Sequence, residues 1–229
     1  MRFALLGPVQ VCDEDGCRDI RGLMPRTVLA MLLLNSGKIV SVDEMAEVVW
    51  DGRPPASASA SLHNHVARLR RILGPSMAGR ISAVPGYYRI HLEPGELDVE
   101  VFAGLCERGR RAARQGKWEQ SSQDLGAALA LWRGRPLADV PGLDRLGSVQ
   151  EYLESKALAW ADRIEADLRL GRHNALLGEL RALALEYPLQ EVFRAQLMTA
   201  LYRSGRQAES LDAFMAFRRT MVDDLGVEP

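Results

Sequence analysis

Residues 56–73 read ASASASLHNHVARLRRIL, closed by Gly74-Pro75. At about 100° per residue, Leu62, Val66, Leu69 and Leu73 fall within about 40° of Leu62, one buried stripe on an amphipathic helix. Ser57, Ala60, Ser61, Asn64, Ala67, Arg68 and Arg71 lie on the opposite side. That face has no acid, small alanines, and groups that hydrogen-bond bases or phosphates, as a helix in a DNA major groove requires. His65 and Arg70 fall on its flanks, where phosphates would lie. Outward from the helix, residues 52–92 contain no Asp or Glu, yet hold Arg53, Arg68, Arg70, Arg71, Arg80 and Arg89 and three of the four histidines. A basic stretch in a chain of net charge -1 implies a polyanion-binding surface that rests on clustering, not on overall charge.

The neighbouring segments fit the same reading. Residues 25–35, PRTVLAMLLLN, form a first helix: proline suits its first turn, and Val28, Leu29, Leu32 and Leu33 give it an apolar face. Ser41 followed by Glu44 is a capping box for a second helix, which ends before Asp51-Gly52 and Pro54-Pro55. After the third helix, residues 80–83 and 88–92 read as two strands around Val84-Pro85-Gly86-Tyr87, a wing with Tyr87 and Arg89 at or beside its tip. Ahead of the helices, residues 3–11 read as one strand, CDEDGC as a turn and residues 17–20 as a second strand. The acids of that turn lack the spaced ligand series of a calcium loop. His63-Asn64-His65 is no metal site either, because residues i and i+2 of a helix point about 200° apart.

From Asp98, a plausible helix cap, the pattern is helical. Six helices are expected, joined by short turns, with a Pro/Gly loop PLADVPGLD before a long helix over 147–170. Gly171-Arg172 recurs as Gly205-Arg206 at the 34-residue tetratricopeptide period, with Gly116 as the turn of a degenerate earlier repeat. Leu168 then aligns with Tyr202, Leu177 with Leu211 and Leu180 with Phe214. Stacked helix pairs of this kind present surfaces for protein partners. A bundle that only stiffens the chain is the plainer alternative.

The bulk numbers agree with two soluble domains, 1–95 and 96–229. The first carries 11 Lys and Arg against 9 Asp and Glu, the second 18 against 21. No apolar run reaches membrane length and the N-terminus lacks a signal-peptide core. Cys12, Cys17 and Cys106 read as a scattered set in a reduced, cytoplasmic protein. Phosphate-loop, serine-hydrolase and zinc-protease motifs are all missing, so no enzyme, cofactor or metal is expected.

Taken together, the chain resembles the SARP family, the Streptomyces antibiotic regulatory proteins. VSVDEMAEVVWDGRPPASA, SLHNHVARLRRILG and VPGYYRI are similar to an OmpR-type winged helix. LALWRGRPLADV, the segment 161–210 and DDLGVEP are similar to the bacterial transcriptional activation domain. The resemblance implies a mainly α fold with a small β component: an N-terminal winged helix-turn-helix, then an all-α TPR-like domain. It also implies a sequence-specific activator of secondary-metabolite (antibiotic) genes that binds promoter direct repeats as two side-by-side copies. Such an activator recruits RNA polymerase holoenzyme with its sigma factor. Ser61, Asn64, Arg68 and Arg71 become the DNA-facing positions of the recognition helix, and Tyr87 and Arg89 those of the wing. His63 and Asn64 differ from many relatives, so a target sequence does not carry over. A winged-helix repressor, or a DNA-binding scaffold without polymerase contact, is the alternative function.

Overall fold

The computed structural model describes residues 2–14, 16–143 and 146–226. The chain begins with a three-stranded antiparallel sheet: β1 (Arg2–Ala4), β2 (Gln10–Asp13) and β3 (Gly16–Asp19) in that order. The single strand expected over 3–11 is thus broken in its middle. Pro8 has no N–H to give a ladder, and the amides around it are taken by carboxylates far along the chain. Leu5 and Leu6 donate to the Asp98 carboxylate at 2.8–2.9 Å, and Val9 donates to Asp139 at 2.9 Å. Gly7 allows a close approach here, since a Cβ on it would sit 2.9 Å from the Cβ of Arg133.

The cysteines also differ from expectation. Cys12 and Cys17 are opposite partners across the β2–β3 hairpin and are joined in a disulfide, so they are not part of a scattered reduced set. The hairpin register, which a cysteine count does not show, brings them together. Cys106 is free and buried, and burial pushes its thiol up to about 11.

The winged helix follows. It comprises α1 (Leu23–Leu34), β4 (Val40–Ser41), α2 (Val42–Val49), α3 (Ala58–Leu73), a short α4 (Pro75–Ala78), β5 (Ile81–Val84) and β6 (Tyr87–Ile90). α1 is buried from Thr27 to Leu33, which makes it the central helix of its core. Ser41 caps α2, its Oγ accepting the Glu44 N–H at 3.0 Å, as the capping box predicts. The stripe Leu62, Val66, Leu69 and Leu73 is buried in the same core. The wing is three-stranded, in the order β4-β6-β5. Its third strand, β4, is too short to leave a pattern in the sequence.

Six helices complete the chain: α5 (Asp98–Arg114), α6 (Trp118–Leu129), α7 (Gly147–Arg169), α8 (His173–Glu186), α9 (Glu191–Arg203) and α10 (Gln207–Leu225). The chain divides into two compact units, 1–104 with 128–156 and 105–127 with 157–229. Residues 128–156 therefore fold with the winged helix. Leu137, Val140, Leu143 and Val149 join its hydrophobic core. The Arg26 guanidinium donates to the carbonyls of Ile20 and Asp139 and pairs with the Asp139 carboxylate at 3.1 Å.

Asp98 starts α5 yet spends its carboxylate on the segment after β1. Burial pushes it above its ordinary value, against the opposing pull of the Leu5 and Leu6 amides and of Arg133. Asp98→Ala would leave two amides of fully buried residues without an acceptor. At about 1–3 kcal/mol for each orphaned group, the expected loss is about 2–6 kcal/mol, read as a lower urea midpoint. Asp98→Asn, which keeps one acceptor oxygen, should cost less.

In the second unit one turn is built three times. At Gly116, Gly171 and Gly205 the glycine takes φ of +72° to +78°. The next residue's N–H then reaches back five residues, Lys117 to Ala112, Arg172 to Asp167 and Arg206 to Leu201, at 2.9–3.0 Å. The 34-residue period and the degenerate turn at Gly116 therefore describe real geometry. Burial does not repeat with it: Leu168 is 3% exposed and its counterpart Tyr202 62%, while Leu177 is 5% exposed and Leu211 66%. Buried Asp167 accepts from Ser122, Arg163 and Arg172 at 2.7–2.9 Å, which locks α6, α7 and the turn before α8 together.

Candidate nucleic-acid interface

α3 stands with its apolar stripe on the core, which fixes the direction of every other side chain on it. Asn64, Ala67, Arg68 and Arg71 are exposed and Ser61 is half-buried. Neither Arg68 nor Arg71 forms a hydrogen bond or ion pair among the described residues. Other arginines of this unit are committed: Arg26 to Asp139, Arg80 to Glu96, and Arg133 to the Pro8 carbonyl and Gln10. The two on the outer face of α3 have no such commitment among the described residues. His65 lies on the flank, half-buried. Burial, and then the neighbouring Arg68 guanidinium, hold the pKa of its imidazole below the ordinary histidine value.

Arg70 lies on the flank expected of it, but its guanidinium is committed within the protein. Its Nε and Nη2 both donate to the Ile81 carbonyl, at 3.2 and 2.7 Å, which braces α3 against β5 of the wing. His63, on the same side, makes a 2.6 Å contact from Nδ1 to the Ser59 carbonyl. Its ring stands edge-on to Tyr88 at 5.8 Å. α3 and the wing are thereby held as one surface. Helix periodicity locates Arg70 on the correct side of the helix but carries no sign of its strand partner.

The wing turns tightly at Pro85-Gly86, with Gly86 at φ +78°. Tyr87 opens β6 and is exposed, while Tyr88 is buried, which raises its phenol pKa. Arg89 lies two residues from Tyr87, paired in register with Ser82, and is half-buried; its Nε has no hydrogen-bond partner. The structure therefore brings Ser61, Asn64, His65, Arg68 and Arg71 onto one helix, with Tyr87 and Arg89 on the hairpin that Arg70 ties to it.

Two family matches divide the chain along these lines. Residues 25–88, from α1 into the wing, match the family "Transcriptional regulatory protein, C terminal", and residues 97–229 match "Bacterial transcriptional activator domain". Regulatory protein DnrI of Streptomyces peucetius is 38% identical over 238 residues, covering all of this chain and 88% of its own length. The chain belongs to the SARP family. Another SARP-type relative, transcriptional regulatory protein EmbR of Mycobacterium tuberculosis, is 37% identical over 234 residues. That match covers 99% of this chain but only 60% of EmbR. The solved structure of Mycobacterium tuberculosis EmbR in complex with a low affinity phosphopeptide superposes with a TM-score of 0.93 at 36% identity, over all of this chain and 61% of the other. The fold is thus the SARP arrangement, a winged helix-turn-helix followed by an all-α TPR-like part. The chain is a transcriptional regulator of SARP type. Among the described residues no helix is long and apolar enough to cross a membrane.

Proposed function

We propose that this regulator is an activator that reads promoter direct repeats and holds RNA polymerase holoenzyme beside them. The observation that supports this most is the outer face of α3: Asn64, Arg68 and Arg71 stand exposed and unpartnered beside a braced wing. A helix of this kind enters the major groove while a wing touches the backbone or minor groove next to it. DNA reading falls within residues 1–95 and polymerase contact within 96–229, although residues 128–156 fold with the former. Two copies side by side in one orientation would occupy adjacent repeats. The holoenzyme, including sigma factor, would meet the helical part. The setting is the cytoplasm, on the nucleoid, and the targets are secondary-metabolite genes. No cofactor and no catalysis are involved.

The test is transcription in vitro with purified holoenzyme, on a promoter carrying the repeats that this chain selects from random duplexes. Added protein should raise transcript yield. Extra binding energy of about 1.4 kcal/mol raises polymerase occupancy about tenfold when occupancy is low. A promoter that is bound tightly yet gives no additional transcript would contradict activation and leave the repressor or scaffold reading.

The wing makes its own prediction. If Arg89 neutralises one phosphate, Arg89→Ala should reduce the slope of log K against log salt by about 0.9. An unchanged slope and affinity would make the hairpin a structural element only. Titration by fluorescence anisotropy between low and moderate salt measures it.

A further inference from the structure

α3 has two sides as well as an outer face, and the wing occupies only one of them. Taking Leu62 as zero at about 100° per residue, His63 and Arg70 lie near +80° to +100°, the side that meets Tyr88 and Ile81. Ile72 and Arg68 lie near −80° to −120°, on the other side. There they line an open cleft of about 480 Å³ whose opposite wall is Asp19 and Arg21, at the end of β3 and in the loop to α1. Arg71 also borders it. The loop runs close to the helix: Gly22 takes φ +92°, and a Cβ on it would lie 3.9 Å from Nη1 of Arg68.

The charges of this cleft are unbalanced. Arg21, Arg68 and Arg71 are all exposed, and none forms a hydrogen bond or ion pair among the described residues. The one acid, Asp19, accepts from the Gln10 side chain at 3.0 Å. The next arginine along the chain, Arg26, shows the contrast, since its guanidinium is fixed to Ile20 and Asp139 and anchors the loop from beneath. Three guanidinium groups converging on one open cleft repel one another until an anion arrives. Their planar forks suit a phosphate diester.

We propose that Arg21, with Arg68 and Arg71, holds a backbone phosphate of the DNA on the side of α3 away from the wing. The proposal rests on the reading of α3 as the groove-entering helix. A helix in the major groove lies between two sugar-phosphate backbones. The wing reaches one of them, and the loop after β3 reaches the other. The N-terminal sheet then has a binding role as well as a packing one, and Arg21 joins the interface from outside the acid-free segment 52–92.

The experiment uses the full chain, a 24-bp mixed-sequence duplex, and a duplex selected from a random pool. Because Arg21 is exposed and unpartnered, Arg21→Ala should melt like wild type. It should weaken binding to both duplexes by the same factor, about eightfold at 0.1 M salt. It should also reduce the salt slope by about 0.9. Arg21→Lys, which keeps the charge, should restore the slope. An unchanged slope for Arg21→Ala, while Arg68→Ala lowers it, would overturn the proposal, as would a loss confined to the selected duplex. Wild-type protein that bound neither duplex would instead refute the underlying DNA reading, and the proposal with it.

Discussion

A chain ending at residue 97 is expected to lose cooperative folding, even though it would retain every residue proposed to face DNA. The cut removes Asp98, which accepts from Leu5 and Leu6, and Asp139, which accepts from Val9 and pairs with Arg26. It also removes Leu137, Val140, Leu143 and Val149, all within 1% of full burial in the same core. At about 1.5–3 kcal/mol for each fully buried aliphatic side chain, those four alone contribute about 6–12 kcal/mol. A whole domain is commonly stable by about 5–15 kcal/mol. The truncated chain should therefore show no sharp urea transition and no specific DNA binding. A cooperative transition with a midpoint near that of the full chain would show that residues 128–156 merely rest on the winged helix.

Arg68→Ala combined with Arg71→Ala should do the reverse, sparing the fold and removing the function. Both side chains are exposed and unpartnered, so the melting temperature should stay close to wild type, as for other surface substitutions. Two lost phosphate contacts, at about eightfold each in 0.1 M salt, predict roughly sixtyfold weaker DNA binding. Part of that loss should appear as a shallower salt dependence, because phosphate contacts release counterions. Wild-type affinity in the double variant would place the DNA on another surface.

The contrast between these two variants follows from what local sequence can encode. α3 was legible because its stripe and its outer face are set by residues three and four apart, and the wing because Pro85-Gly86 marks its turn. The six later helices and the turns at Gly116, Gly171 and Gly205 were legible for the same reason. The break between β1 and β2 was legible only in part: Pro8 stands in the sequence, but the acceptors that take the amides around it, Asp98 and Asp139, lie some 90 and 130 residues away in the chain. Likewise Arg70 looks like any flank arginine until the Ile81 carbonyl is placed beside it. Arg21 lies outside the acid-free segment, and only the cleft places it opposite Arg68. The Cys12–Cys17 pairing depended on register, and the two-residue strand β4 on the position of β6. Each omission is a pairing between elements, near or far in the chain, and the periodicity of a single element does not record it.

On the proposed function, the outer face of α3 reads base sequence. Selection of duplexes from a random pool, run in parallel with wild type and with Asn64→Ala, tests it most directly. Wild type should enrich a discrete motif arranged as same-orientation repeats about one helical turn apart, the spacing at which two recognition helices meet the groove from one side. Asn64→Ala should keep that spacing and relax the preference at one position of each repeat, with general affinity little changed. No enrichment by wild type, or an identical motif selected by the variant, would contradict the account.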